Sequence, residues 1–441
     1  MKYTQPKGTF DIVPKPLKEE DAWKASSKWQ YVEEVITKAA SDYGFSEIRT
    51  PIFEKTDLFV RSVGGSSDIV SKEMYTFEDK AGRSMSLRPE GTAPVVRAFI
   101  ENHMQQLGSH HKLWYLGPYF RYDRPQAGRF RQFHQFGVEA IGRSDPYQDV
   151  EIIDFVCEIY KRLGIQNLNV LINSVGDKES RANYKNALIQ FLTPHYDSLS
   201  EDSKQRFEKN PLRILDTKDE TEIELLKEAP LLCDYLTPKC KKHFDEVLEI
   251  LKELDISFTL APQLVRGLDY YNMTVFEVTS SVLGAQNSIG AGGRYDGLMK
   301  DIGGQDLPSI GYATGIERIL STMQGQGCKF GEEKAPFIFF VPLGESAKKV
   351  TFKALSKLRH KQVPSEMYVK SQKMQKALQE ASEQRASYAV IIGEQELEKG
   401  IFQIKNMETR DSEEVPLSSI ITHLYTLWES ASTENRSSAL S

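Results

Sequence analysis

The stretch Trp114 to Gly142, WYLGPYFRYDRPQAGRFRQFHQFGVEAIG, limits what this chain can fold into more than any other. It reads as a strand, a turn and a second strand. Tyr115, Leu116, Tyr119 and Phe120 are aromatic and apolar strand formers leading up to Arg121. Pro125, Ala127 and Gly128 then break the run, as a hairpin connection requires. From Gln132 the alternation resumes. Phe133, Gln135, Gly137, Glu139 and Ile141 share one face, and Gln132, His134, Phe136, Val138 and Ala140 the other. Gln135 and Glu139 therefore point the same way, roughly 13 Å apart along the strand. Gly137 between them has no side chain, which predicts a floor on which a small ligand could lie. Around the tip, Arg121, Arg124, Arg129 and Arg131 meet only one acid, Asp123. Such a set is either solvated or directed at anions, and the planar guanidinium fork grips phosphate bidentately.

At 441 residues the chain has room for two or three domains and a large core. Its 40% hydrophobic and 27% charged residues fit a soluble globular protein. A net charge of −6 argues against a generally basic nucleic-acid coat, while leaving room for local basic patches. Cys157, Cys233, Cys240 and Cys328 are irregularly spaced, which fits a reducing cytosol and predicts a cytoplasmic location. Cys233, Cys240 and His243 lack the short paired spacing of a zinc knuckle, so no protein-borne metal site is expected. The start, MKYTQPKGTFDIVP, has no apolar core of signal-peptide length. No run approaches the ~20 apolar residues that span a membrane.

Val32, Val35, Ile36, Ala39, Ala40 and Tyr43 recur at helical spacing up to Gly44. GFSEIRTPIFE follows as a short strand whose Pro51 places it at an edge. This pair is a dimer surface or an intradomain contact. Residues 73–80 and the segment from Ser84 read as strands running into a helix, with RPEGT (Arg88 to Thr92) at the join. Thr92 can cap that helix and Glu90 suits its N-terminus; alternatively the two accept hydrogen bonds from a ligand ammonium. Val150 to Leu163 reads as a helix, Leu168 to Ser174 as a strand, and 178–255 as an inserted, charged helical segment.

In LVRGLDYYNMTVFEV, Arg266 and Asp269 flank a glycine turn and could form an ion pair. Tyr270 and Tyr271 lead into a strand, Thr274 to Thr279. Adjacent strand residues face opposite ways, which predicts that only one tyrosine lines a pocket. SIGAGGRYDGL follows, its glycines allowing close approach of backbone to ligand, but without the strand-to-helix dinucleotide fingerprint. LPSIGYATGIERILSTM is a strand entering a helix near Gly315. Arg318 falls in the first turn, where a cation opposes the helix dipole. Either an anion is expected there, or the arginine pairs with Glu317 or water.

Residues 325–334 form a linker by composition. Residues 335–428 alternate as a βαβαβ unit with a mostly parallel sheet. Nine Lys or Arg stand against one acid, Glu366, between Lys348 and Lys376. This is either a nucleic-acid backbone contact or a solvated helix face. Residues 429–441 are polar and expected to be a disordered tail.

RPEGT, FRYDRPQAGRFRQFHQFGVE, LVRGLDYYNMTVFE, AGGRYDGL and GIERI resemble the signatures of class II histidyl-tRNA synthetases, with RGLDYY and AGGRYDGL the most specific. The resemblance runs from KGTFDIVP to IFQIKNM in family order. It implies an α+β catalytic domain, an antiparallel sheet flanked by helices, over 1–177 and 256–324. An inserted helical domain over 178–255 and a C-terminal α/β anticodon-binding domain over 335–428 complete it. The implied activity is ATP-dependent ligation of L-histidine to histidine tRNA through histidyl-adenylate, with Mg2+ arriving with ATP. A homodimer and no membrane partner are implied as well.

By the same resemblance Glu90, Thr92 and Gln135 hold the α-ammonium of histidine. Glu139 and Tyr271 hold the imidazole nitrogens, with Tyr270 in the histidine site beside them. Arg121 grips the α-phosphate of ATP, Arg129 joins it at the nucleotide, and Arg318 takes the γ-phosphate. Arg266, catalytic with Arg121, faces the reacting carboxylate and α-phosphate. One departure stands out: Asp123 replaces the family's usual Glu, and its shorter reach toward the adenine side leaves it off the binding list. The rival reading is the histidine-sensing regulatory subunit of ATP phosphoribosyltransferase. That paralogue generally lacks the anticodon domain and an intact RGLDYY, and both are present here.

Overall fold

Proline has no amide hydrogen to give to a sheet, and Pro51 accordingly divides what reads as one strand into two. In the computed structural model, which describes residues 3–64, 67–123, 129–217, 219–280, 288–331, 335–369 and 373–438, the two pieces join different sheets. The chain divides into two compact units, Met1–Gly331 and Glu332–Ser441.

In the first unit, α1 (Ser26–Asp42) buries Trp29, Val32, Ile36, Ala39 and Ala40 in the main core, so the intradomain alternative holds for this helix. β1 (Ser46–Glu47) and β2 (Phe53–Lys55) flank Pro51. After α2 (Thr56–Val63) come β3 (Thr76–Glu78), β4 (Ser84–Leu87) and α3 (Thr92–Glu101). β2, β4 and β3 make a small antiparallel sheet. The long hairpin is β5 (His111–Phe120) and β6 (Gln132–Ile141), paired antiparallel with Tyr115 opposite Gly137. Next are α4 (Pro146–Arg162) and β7 (Leu168–Ser174). Four α-helices follow: α5 (Lys178–Leu192), α6 (Glu201–Lys209), α7 (Glu220–Leu226) and α8 (Pro238–Glu253). β8 (Phe258–Leu260), β9 (Asn272–Ser280), β10 (Ser288–Arg294), α9 (Leu298–Asp301), β11 (Ser309–Gly315) and α10 (Ile316–Gln326) close the unit.

The large sheet has the order β1-β5-β6-β11-β10-β9-β7-β8. Its inner pairings are antiparallel, while β1 with β5 and β7 with β8 run parallel at the two edges. The period-two pattern of β6 sorts its side chains as alternation requires. Phe136, Val138 and Ala140 join a core with α1, α4 and α10. Phe133 and Ile141 face a second cluster that holds Tyr115, Tyr119, Tyr270 and Tyr295. Both faces are covered, so a one-residue slip would exchange the two sets and is strongly excluded. The helical insertion is not self-contained: α5 and α7 share a cluster with Val275 of β9, and Phe244, Val247 and Leu251 of α8 belong to the main core.

The second unit runs β12 (Ile338–Pro342), α11 (Glu345–His360), β13 (Ser365–Met367), α12 (Met374–Glu383), β14 (Tyr388–Ile392), α13 (Glu394–Lys399), β15 (Ile401–Asn406), β16 (Ser412–Pro416) and α14 (Ile420–Ser438). The order is β13-β12-β14-β15-β16. The first three strands are parallel, as the βαβαβ pattern predicts, but β15 and β16 add an antiparallel hairpin and make the sheet mixed. A second correction concerns the tail. α14 continues through residues 429–438, anchored by Ile420 and Leu424 and by the partly buried Trp428 and Ala431. Residues 439–441 lie outside the described residues. Among the described residues no helix is long and apolar enough to cross a membrane.

Candidate active site

The predicted open floor at Gly137 is filled by a phenol. Tyr115, opposite Gly137 across the hairpin, lays its ring over that position, and a Cβ on Gly137 would stand 2.3 Å from it. Gly91 makes room on the other side, where a Cβ would come within 2.4 Å of the same ring. The Tyr115 hydroxyl donates to Glu139 Oε1 at 3.1 Å, and the Thr92 hydroxyl donates to the same oxygen at 2.8 Å. Tyr295, from the GGRYDGL segment, donates to Oε2 at 2.5 Å. Gly311 on the adjacent β11 leaves the space this carboxylate needs, since a Cβ there would meet Oε2 at 1.9 Å. Glu139 is fully buried, and burial pushes its carboxyl up to about 8 despite the three hydroxyls.

The helix start at RPEGT corrects one expectation. Gly91 precedes α3 and has no side chain, so Glu90 caps it, accepting the backbone N–H groups of Thr92 at 2.7 Å and Ala93 at 3.0 Å. Thr92 is the first helical residue and sends its hydroxyl to Glu139 instead of capping. Burial raises the Glu90 carboxyl, and the two amide bonds work against that rise.

A cavity of about 620 Å³ opens beside this group. Glu90, Thr92, Gln135, Tyr270, Tyr271, Arg266, Arg121, Arg129 and Arg318 all line it. Glu139 does not; it stands behind Thr92, which bridges it to the cavity wall. Gln135 is 7% exposed, and its buried Oε1 has no hydrogen-bond partner among the described residues, an acceptor suited to a ligand N–H. Both tyrosines reach the cavity because they sit in the turn before β9, not in the strand where alternation would part them. Their ring centroids are 4.7 Å apart.

Three arginines converge on the same space. Arg121 Nε donates to the Pro89 carbonyl at 2.8 Å, and its guanidinium lies 5.5 Å from the Phe133 ring. Arg129 pairs with Asp123 at 3.0 Å. Arg318 donates to the Ser288 carbonyl, while Glu317 turns away to accept His134 N–H at 2.8 Å. Burial lowers the Arg318 pKa, and the Arg129 and Arg121 charges lower it further, so a bound anion would relieve all three. Of the other tip arginines, Arg131 lies 4.0 Å over the Tyr122 ring, and Arg124 falls outside the described residues. Arg266 pairs with Glu277 on β9, not with Asp269, whose partner is Arg213 at 2.9 Å.

Sequence reasoning missed the contribution of the helical insertion. Arg181 on α5 donates to the Tyr271 carbonyl at 3.0 Å, and Arg213 donates to the Gly267 carbonyl at 3.3 Å. The insertion thus grips the RGLDYY turn at both ends, and both arginines line the cavity. His243 of α8 bonds Asp149 at 2.8 Å, and Asp149 also pairs with the fully buried Arg294 at 2.6 Å. That leaves it a structural role; among the described residues no three His, Cys, Asp or Glu gather as a metal site.

The family model for histidyl-tRNA synthetase matches residues 20–319, and that for an anticodon binding domain matches residues 338–426. The histidine–tRNA ligase of Protochlamydia amoebophila is 52% identical over 407 residues, covering 92% of this chain and 96% of that protein. Its counterpart from Halothermothrix orenii is 46% identical over 422 residues, covering 96% and 99%. The crystal structure of apo histidyl-tRNA synthetase from S. aureus matches with a TM-score of 0.81 at 36% identity, over 96% of this chain and all of that one. Likeness of that extent, in both units, settles the class of fold and of enzyme together: the chain belongs to the histidyl-tRNA synthetase family, class II aminoacyl-tRNA synthetases that act as histidine–tRNA ligases.

Proposed function

We propose that the chain joins L-histidine to histidine tRNA in two steps, through histidyl-adenylate. The observation that carries this reading is a single cavity holding both a carboxylate–amide–hydroxyl wall (Glu90, Gln135, Thr92) and an arginine wall (Arg121, Arg129, Arg318). The first suits an ammonium and the second a triphosphate. Holding both substrates in one place converts a bimolecular attack into a positioned one, which removes much of the entropic barrier.

In the first step a histidine carboxylate oxygen attacks the α-phosphorus of ATP. The bond to the bridging oxygen breaks, and pyrophosphate leaves with its electron pair. In the second, the terminal adenosine hydroxyl of the tRNA attacks the acyl carbon, and AMP departs. Glu90 and Gln135 accept from the α-ammonium beside Thr92. Tyr271, on the cavity wall, and Glu139, reached once the ring passes Thr92, hold the imidazole nitrogens, with Tyr270 packed against Tyr271. Burial keeps a proton on Glu139 near neutral pH; once that proton is released to solvent, the carboxylate offers about four acceptor positions, of which three hydroxyls fill three and leave one for a ring N–H. An analogue without that N–H would leave buried polar groups unpaired, a discrimination on the order of 10⁴. Arg121 grips the α-phosphate, Arg129 and Arg318 the rest of the triphosphate, with Arg318 on the γ-phosphate. Arg266 meets the charge that builds on the carboxylate and α-phosphate oxygens. Mg2+ would enter on the phosphates of ATP, the usual mode for an ion that is reluctant to shed its water.

The partners follow from the rest of the chain. The second unit, with its basic run from Lys348 to Lys376, would hold the tRNA. Ile52, Phe53 and Phe77 lie exposed on or beside the small sheet, which supports a homodimer formed there. Four free cysteines fit the cytoplasm. The test is ATP–pyrophosphate exchange in the absence of tRNA. Exchange should depend on histidine, and exchange driven by another amino acid would refute the assignment of the imidazole site.

A further inference from the structure

The segment from Gly8 to Trp29 packs against the return leg of the hairpin. Arg131 N–H donates to the Gly8 carbonyl at 2.7 Å. The Phe10 ring sits edge-on to Phe130 and to Trp23, both at 4.7 Å, and 6.4 Å from His134. Trp23 stands 5.5 Å from Phe130, and Trp29 4.9 Å from His134. The segment is itself closed into a loop, with Val13 N–H bonded to the Lys24 carbonyl and Ser26 N–H to that of Val13.

What this loop touches has neighbours in the cavity. Phe130 lines the cavity and follows Arg129 directly. The backbone and ring of His134 bond the buried Glu317 at 2.8 and 3.1 Å, and Glu317 precedes Arg318. Tyr115, Tyr270 and Tyr295, on the amino-acid side, belong to a different packing cluster from the one Phe10, Trp23 and Trp29 join. We infer that residues 8–29 brace the nucleotide side of the cavity, and that Phe10 is a positioning residue. Acting through Phe130 and His134, it holds Arg129 and Arg318 where a triphosphate would meet them. The inference rests on reading those two arginines as ATP ligands.

The experiment is steady-state pyrophosphate exchange by the full chain, varying ATP and histidine separately. In Phe10→Ala the KM for ATP should rise about five- to tenfold, with kcat and the KM for histidine within about twofold of wild type. Phe10→Tyr, which keeps the ring, should restore the ATP value. An unchanged KM for ATP would overturn the brace, as would ATP and histidine values rising together. If Phe10→Ala does not fold, Phe10→Leu and Trp23→Leu are read by the same split. Arg129→Ala and Arg318→Ala separate the two levels of the reading. Should they leave the ATP value alone, the ligand assignment fails and the brace with it; should they raise it while Phe10→Ala does not, only the brace fails.

Discussion

A guanidinium that serves only to balance one nearby carboxylate can be replaced by an ammonium at little cost. Arg266 is paired with Glu277 in a largely buried contact, where exchanging one cation for another keeps the charge and should cost no more than about 1 kcal/mol. If its fork instead spans a carboxylate and a phosphate oxygen in the transition state, lysine cannot reproduce the geometry. Arg266→Lys should then lower the exchange rate by about 10²–10³, or roughly 3–4 kcal/mol of barrier, with histidine binding and melting temperature little changed. Glu277→Gln serves as the control and should be much milder; equal losses in the two variants would reduce Arg266 to an ion-pair partner. Glu139 makes a different kind of prediction. Its carboxyl is pushed from 4.5 to about 8 in the folded chain, so between those values the folded state holds a proton that the unfolded state has released. Its contribution to stability is full below about pH 4.5 and is lost as the pH rises through about 8. Glu139→Gln cannot ionise, so its melting temperature should gain on wild type steadily from about pH 5 to about pH 8.5. Parallel profiles would show that Glu139 does not carry the proton.

At the scale of elements, what could be read in the sequence was what depends on a short period. The hairpin, its two faces and the helix entered at Gly315 are visible because alternation and helical spacing are local. What each face meets is not local. The Gly137 floor looked open because the ring that fills it comes from the opposite strand, and only the register shows that Tyr115 stands there. Gly137→Ala should therefore cost about 1–3 kcal/mol in denaturant unfolding, the usual range for overpacking. Adding Tyr115→Leu should cost less than the two single losses combined, because the side chains compete for one space; strict additivity would mean they do not touch. Tyr270 and Tyr271 were assigned opposite faces on the assumption that the strand had begun, whereas it begins at Asn272. Pro51 showed where pairing stops but not that the two halves would part company. Arg181 and Arg213 were invisible for a more general reason. A charged helix reads the same whether its arginines meet water or carbonyls 90 and 54 residues further along.

For the whole molecule, every described residue lining the cavity lies in the first unit. Deleting Glu332–Ser441 should leave exchange measurable while abolishing most tRNA charging, and a folded truncation losing both equally would contradict a separate role for the second unit. Charging should also fall with salt more steeply than exchange does, since displaced phosphate counterions weigh only on the tRNA step. The order of the large sheet has a consequence for how the chain is made. β6 pairs with β5 at once, but its other edge waits for β11, where Ile141 meets Ser309. At about 5–20 residues per second, a gap of about 170 residues leaves that edge bare for roughly ten to thirty seconds of synthesis. An unpaired edge of ten residues is a template for any passing strand, while the insertion's helices, each bonded within itself, can begin to form during the delay. Every residue added between the two strands lengthens that exposure, so a longer insertion would first be felt in the yield of soluble protein and only later in its turnover.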